Sequence, residues 1–376
     1  MKKNKPLGLY IHVPFCRRKC LYCDFCSFSG LDDDTIDTYV TRLCEELTEK
    51  APTAADHTVD TVYFGGGTPT LLSPTHFARL LDTVRAHYRL SDDVEITTEC
   101  NPATADEDKL RALRALGVNR LSIGAQSAVD AELKALGRIH TWQETQATVH
   151  AARRAGFDNL SLDIMFGIPH QTPESFAYTL DEILALSPEH LSAYSLIVEP
   201  DTPFFEVGEA LPLPDEDAVC DMSALLLARV RAAGFERYEI SNFARDHRVS
   251  RHNLHYWSMD DYLGFGPAAH SLLNGVRTGH SRDLDAYLSG EDTVEPEETL
   301  DAESARDEYV MLRLRLAEGV DKQTFAARFG QEFDAVYGES AIPFIKAGLL
   351  TDTAARIAFT DRGFSVSNTV LSEMLF

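Results

Sequence analysis

Six short β-rich runs alternate with helical stretches through the first two thirds of the chain, and this rhythm limits the fold more than any other feature. The runs are residues 8–13, 61–64, 94–98, 120–123, 160–166 and 191–196. Between them, residues 35–50, 75–88, 107–116, 142–155 and 173–186 carry a helical period. Strands joined by crossover helices pair in parallel. Six such units are too few for a closed eight-stranded barrel, so the pattern predicts an open, partial (β/α)6 TIM-like barrel. Its reactive end is expected at the C-terminal ends of the strands.

After the sixth unit, residues 217–233 read as a helix and 238–240 as a short strand, and then the rhythm changes. Residues 250–271 are rich in His, aromatic residues and Gly without clean periodicity, which predicts a loop lining a site. Residues 304–317 and 322–329 read as helices, and 349–363 as a small hairpin. The reading is a barrel over 1–240 and a smaller, mainly helical C-terminal domain over 241–376, which a chain of 376 residues accommodates.

With 44% hydrophobic and 25% charged residues the composition is that of a globular chain, which sets aside disordered and fibrous classes. The longest apolar runs, such as 160–169, are interrupted by Asp163 and fall short of the roughly 20 residues that cross a bilayer. The basic residues at the N-terminus lead into a strand without a small-residue cleavage site, so the expected location is cytoplasmic, not secretory. A formal charge of -24 opposes a phosphate backbone, so nucleic acid is not expected as a partner.

Four of the seven cysteines fall between residues 16 and 26, too close together for a disulfide framework. Cys16, Cys20 and Cys23 have C-x3-C-x2-C spacing directly after the first strand and Pro14. Three thiolates on one tight loop can hold three irons of a 4Fe-4S cubane and leave the fourth iron open to the amino and carboxylate groups of S-adenosylmethionine (SAM). One electron from such a cluster cleaves the sulfonium and leaves a 5'-deoxyadenosyl radical, so the cofactors carry the chemistry and the protein positions them. The competing reading is a zinc site that adds Cys26, but no second Cys/His pair at finger spacing follows. Cys26 itself reads as a fourth ligand, a redox thiol or an apolar filler, and Cys44, Cys100 and Cys220 read as core residues.

Polar and glycine motifs recur at the following strand exits. Gly65-Gly66-Gly67-Thr68-Pro69 ends the second strand, where glycines let backbone approach a ligand. Glu99, Gln126 and Asp163 stand at the next exits, suited to ribose hydroxyls and an amine, and Arg138 carries a planar fork suited to a carboxylate. Any one of these could cap a helix or pair on the surface. Together, at consecutive exits, they predict one ligand cavity.

These residues resemble a known family, the oxygen-independent coproporphyrinogen III oxidase group of radical SAM proteins, and within it the HemW-type heme chaperones. The carrying motifs are Tyr10-Ile-His-Val-Pro-Phe-Cys16 with its cysteine loop, Gly-Gly-Gly-Thr-Pro, Leu-Asp-Ile-Met-Phe-Gly-Ile-Pro, and His252-Asn-Leu-His-Tyr-Trp257. The resemblance covers nearly the whole chain. It implies a radical SAM barrel whose SAM site includes Tyr10, Tyr22, Gly66, Gly67, Thr68, Glu99, Gln126, Arg138 and Asp163. It also implies heme as a third cofactor, with His252 as axial ligand, and transfer of heme to acceptors such as membrane-bound respiratory proteins. Membrane contact would then be peripheral and through the acceptor. The alternative within the family is oxidative decarboxylation of coproporphyrinogen III. Those enzymes carry an N-terminal extension, whereas here the strand starts by Gly8, and they carry a cysteine where this chain has Phe25.

Overall fold

Alternation within each strand decides the architecture. In β1 (Lys5–Val13), Leu7, Leu9, Ile11 and Val13 are fully buried in the main core, while Gly8, Tyr10 and His12 occupy the opposite face. The structure, a computed structural model, describes residues 5–375 apart from 292 and 297; residues 1–4, with the basic Lys2 and Lys3, lie outside the described residues. β2 (His57–Gly66), β3 (Leu90–Cys100), β4 (Arg120–Gln126), β5 (Leu160–Phe166) and β6 (His190–Ser195) follow β1 in unbroken parallel order. Helices α1 (Asp33–Lys50), α2 (Pro74–His87), α3 (Glu107–Ala115), α4 (Trp142–Arg154) and α5 (Pro173–Ala185) make the crossovers. Each starts where the chain supplies a cap: Asp32 before α1, and the reciprocal Thr141–Glu144 pair before α4. The partial (β/α)6 barrel predicted from the alternation is the fold.

The sheet extends past both edges and does not close. β7 (Glu236–Arg237) and β8 (Asn242–Ala244) follow α6 (Glu216–Ala232) and add antiparallel strands beyond β6. Beyond β1 the sheet continues with β9 (Tyr262–Phe265), parallel to β1, and then β10 (His270–Leu273), β11 (Val276–Gly279) and β12 (Glu298–Thr299), all antiparallel. The expected loop over 250–271 is therefore a helix, α7 (Arg251–Ser258), followed by a strand. His252 and His255 are buried, and with Tyr256 they follow the i, i+3, i+4 spacing of one helical face.

The junction between units also differs from the expected residue 240. Leu263, Phe265, Leu284 and Tyr287 belong to the barrel core, and a second core begins at Tyr309. That second core joins α8 (Ala302–Leu314), α9 (Lys322–Phe329), α10 (Phe333–Lys346) and α11 (Ser367–Leu375) to a small antiparallel sheet. The sheet contains the expected hairpin, β14 (Leu350–Asp352) with β15 (Arg356–Phe359), and β13 (Val320–Asp321). Apart from Ile240 and Met259, which pack against the second core, packing divides the chain near residue 300. Strand periodicity could not show this, because β9 and its partners return to the barrel after a helix that closes its far end.

Candidate cofactor cavity

The inward faces of the barrel strands are polar, so the interior is a cavity and not a packed core. Glu99 on β3, Arg120, Ser122 and Gln126 on β4, Ser161 and Asp163 on β5, and His190 and Tyr194 on β6 all line one space of about 650 Å³. The cysteine loop covers its mouth at the C-terminal ends of the strands. A short parallel ladder between Phe15–Cys16 and Phe28–Ser29 closes that loop, and the Leu21 amide donates to the Leu136 carbonyl at 3.1 Å. The Leu21 carbonyl in turn accepts from the Phe204 amide at 3.1 Å. The loop is therefore tied to segments that follow β4 and β6.

Of the residues singled out from sequence, Cys16, Cys20, Cys23, Tyr22, Gly66, Gly67, Thr68, Glu99, Gln126, Arg138 and Asp163 all line this cavity. Cys16, Cys20 and Cys23 are half-buried thiols. Cys16 Sγ lies 3.6 Å from Thr68 Oγ1, and Arg138 Nη1 donates to Cys20 Sγ at 3.6 Å. Burial pushes the thiols of Cys16 and Cys23 up, Cys23 to about 11, so ionisation of the set calls for a positive centre between them. Three soft sulfur donors on one loop suit iron–sulfur chemistry. No three His, Cys, Asp or Glu side chains among the described residues converge as they would on a single metal ion.

The glycine turn works differently from the expectation. Gly66 N–H donates to Glu99 Oε2 at 3.1 Å and Gly67 N–H to the Val13 carbonyl at 2.9 Å, so neither amide is free for a ligand. A Cβ at Gly66, whose φ is +112°, would sit 2.5 Å from the His12 ring, and one at Gly67 would sit 2.6 Å from the Phe15 carbonyl oxygen. The glycines let the turn press against the strand end that launches the cysteine loop.

Glu99 and Asp163 are enclosed carboxylates. Glu99 accepts from Tyr63 Oη at 3.1 Å, and Asp163 from Ser122 and Ser161 hydroxyls at 3.0 and 3.2 Å. Burial, then the charge of Asp163, pushes Glu99 up to about 7; burial pushes Asp163 up to about 6. Neither forms an ion pair with a described residue. Two confined acids without an ion-pair partner among the described residues fit a cationic ligand such as a sulfonium with its ammonium group. A bulge between Ile123 and Gln126 gives Gln126 a φ of +63° and aims it into the cavity, where Oε1 accepts from Tyr194 Oη at 3.2 Å. Arg138 Nη2 is held by Asn101 Oδ1 at 2.6 Å and the Gly124 carbonyl at 2.8 Å.

Tyr10 and His252 do not line the cavity. Tyr10 Oη is 3.0 Å from His12 Nδ1, and its ring stacks beside the Tyr63–His252 pair, with centroids 6.2 and 6.3 Å away. His252 is 1% exposed, and both its ring nitrogens are engaged, Nδ1 with Thr61 Oγ1 and Nε2 with Tyr256 Oη, each at 2.8 Å. As placed, it offers no nitrogen to an iron. The helix that carries it plugs the barrel floor, its first amides donating to Glu95 at 3.3 Å. Cys26 is buried away from the cavity with its Sγ toward the Arg282 carbonyl; Cys100 is buried in the main core and Cys44 packs half-buried against it, while Cys220 is exposed. The sequence reading missed Tyr63, Arg120, Ser122, Ser161, His190 and Tyr194. Their signal was polar residues at every second position of strands whose alternate residues are apolar.

Comparison with known proteins agrees with this geometry. Residues 10–183 match the radical SAM superfamily, and residues 300–366 match the HemN C-terminal domain. The heme chaperone HemW of Escherichia coli is 37% identical over 384 residues, spanning 100% of both chains. That of Bacillus subtilis is 34% identical over 97% of this chain and 98% of its own. Among solved structures, the radical SAM coproporphyrinogen III oxidase HemN of Escherichia coli superposes with a TM-score of 0.87 at 25% identity, over 99% of this chain and 90% of that one.

Proposed function

The chain belongs to the HemW family of radical SAM proteins, and from that premise we propose that it is a heme chaperone. In this reading Cys16, Cys20 and Cys23 hold a 4Fe-4S cluster, SAM and heme bind beside it, and heme passes to acceptors such as respiratory proteins. The observation that carries the reading is the match, end to end, to relatives whose own names are heme chaperone. The cavity supports it chemically, since a thiol loop, two acids without an ion-pair partner and a polar interior converge on one space.

The cluster, when bound, supplies the electron for reductive chemistry on SAM. The chain's own groups do the rest. Glu99 and Asp163 neutralise the cationic end of SAM, and the enclosure that raises their pKa values strengthens that attraction. Gln126, fixed by Tyr194, and Tyr22 and Thr68 from the facing loops supply hydrogen bonds. Arg138 stands between the loop and β4, in contact with Cys20, where it can meet a carboxylate with the donors not spent on Asn101 and Gly124. In the described residues no helix is long and apolar enough to cross a membrane, so acceptors in a membrane would be met at its surface.

A second reading, decarboxylation of coproporphyrinogen III, is favoured by the likeness to HemN over nearly the whole chain. Anaerobic assay separates the two. The reconstituted protein is expected to take up heme stoichiometrically and release it to an apo-acceptor without converting coproporphyrinogen III. Formation of protoporphyrinogen IX would overturn the chaperone reading.

A further inference from the structure

Arg120 opens β4 at the cavity floor, and only 1% of it is exposed. Its Nε has no hydrogen-bond partner, and among the described residues its guanidinium forms no ion pair and no hydrogen bond. A buried lysine in that position could shed its proton. Arginine does not, so the cost of burying the charge, several kcal/mol or more, has to be met by an anion. Asp163 feels this charge but lies beyond ion-pair distance and is held by two serines, and Glu95 is taken up by the first amides of α7. His190 beside it is kept neutral by burial and by the charge of Arg120. Asn242 Oδ1, also buried on the cavity wall, is likewise without a partner. The floor therefore keeps a buried guanidinium and a buried amide oxygen without partners.

A planar fork suits a carboxylate. A doubly charged phosphate would be opposed by Glu99 and Asp163. SAM held at the cysteine loop would have its own carboxylate near the opposite end of β4, about 20 Å along the strand. At the mouth, Phe25, Ile139 and Ile197 are 67%, 54% and 67% exposed. The cavity thus runs from a cationic floor to an apolar rim, the polarity of a porphyrin with propionates at one edge. We propose that Arg120 is a carboxylate-binding residue that takes a heme propionate at the cavity floor, with the apolar porphyrin edge toward Phe25, Ile139 and Ile197. This rests on the heme reading above.

The test uses the full-length protein with its cluster reconstituted, as wild type, Arg120→Gln and Arg120→Lys. Visible titrations give affinities for heme and for heme dimethyl ester, and equilibrium dialysis gives those for SAM and decarboxylated SAM. Wild type is expected to prefer heme over its ester by about tenfold or more, the scale of one charge-assisted contact. Arg120→Gln should lose that preference with ester affinity unchanged, and Arg120→Lys should keep part of it. Equal binding of heme and ester by wild type overturns the inference while leaving the heme reading intact, and needs no variant that folds. Retention of the preference in Arg120→Gln also overturns it. Loss of discrimination only between SAM and its decarboxylated form would assign the carboxylate to SAM and overturn the porphyrin assignment. Absence of any heme binding would overturn the heme reading itself.

Discussion

Glu99 and Asp163 set the chemistry of the cavity at the scale of single residues, and their protonation gives a prediction with a definite sign. Their folded pKa values, about 7 and about 6, lie above the ordinary 4.5 and 3.8. Between the ordinary and the raised values the folded protein holds more protons than the unfolded chain, so the SAM-free protein loses stability as pH rises through that window. A cationic ligand prefers the ionised pair and reverses the trend. SAM affinity is therefore expected to rise from about pH 5.5 to about pH 7.5, by up to ~tenfold per pH unit for each carboxylate still protonated. Equilibrium dialysis checks this, and Glu99→Gln should flatten the profile. A flat profile in wild type would remove the carboxylates from the cation site. Gly67 gives a second prediction, because an added Cβ would meet backbone at Phe15 O and not a side chain that can swing away. Gly67→Ala should cost ~1–3 kcal/mol and lower iron retention after reconstitution. Stability and iron content equal to wild type would show that the turn can shift. Strand exits were legible in the sequence because polar or glycine residues end apolar runs there. Arg120 and Ser161 were not, because they lie at strand starts, where only alternation distinguishes an inward polar residue from an edge one.

At the scale of elements, α7 converts an open barrel into a cup. It lies across the N-terminal half of β1 and β2, where a Cβ at Gly8 would already be 3.2 Å from His252 and His255. His255 Nε2 meets Asp60 Oδ1 at 2.8 Å, and Ser250 provides no side-chain cap. Glu95, reaching up from β3, takes over that role. Glu95→Ala is expected to lower stability by ~0.5–2 kcal/mol in denaturant unfolding, as loss of a cap does; no change would mean that water replaces it. For His252, loss of its two buried hydrogen bonds predicts a drop of ~1–3 kcal/mol on replacement by Ala, with the heme absorption band where it was. A displaced band at unchanged stability would instead point to iron ligation after α7 moves out of the floor. The sequence read this segment as a loop because eight residues are barely two helical turns. Its buried face is built from His and Tyr, which hydrophobic periodicity does not register.

At the scale of the whole molecule, the two cores explain both what the β/α rhythm conveyed and where it stopped. Rhythm identifies elements that repeat, and the six parallel strands with their crossovers were legible for that reason. It carries no information on a chain that leaves the barrel and comes back, as this one does when β9 pairs with the free edge of β1 from Gly8↔Tyr262 to Ile11↔Phe265. Leu263, Phe265, Leu284 and Tyr287 then fill the core beneath α1, so the barrel is incomplete without residues far beyond 240. The C-terminal unit has its own core and meets the barrel at two places: the end of α7, where Arg313 Nη1 donates to Ser258 Oγ at 3.0 Å, Arg328 Nη2 to the Met259 carbonyl at 3.1 Å and Met259 packs on the core, and the 238–240 segment, where Ile240 packs on it and the Ala317 amide donates to the Tyr238 carbonyl at 2.9 Å. A chain ending at residue 300 is therefore expected to unfold cooperatively in urea and to retain the cluster after reconstitution. One ending at residue 240 exposes the β1 edge and loses the floor helix, and should aggregate or unfold without a transition. Circular dichroism and iron content of the two truncations decide the point. A shorter chain that matched the longer one in midpoint and iron would mean that the barrel closes its core without β9 and α7.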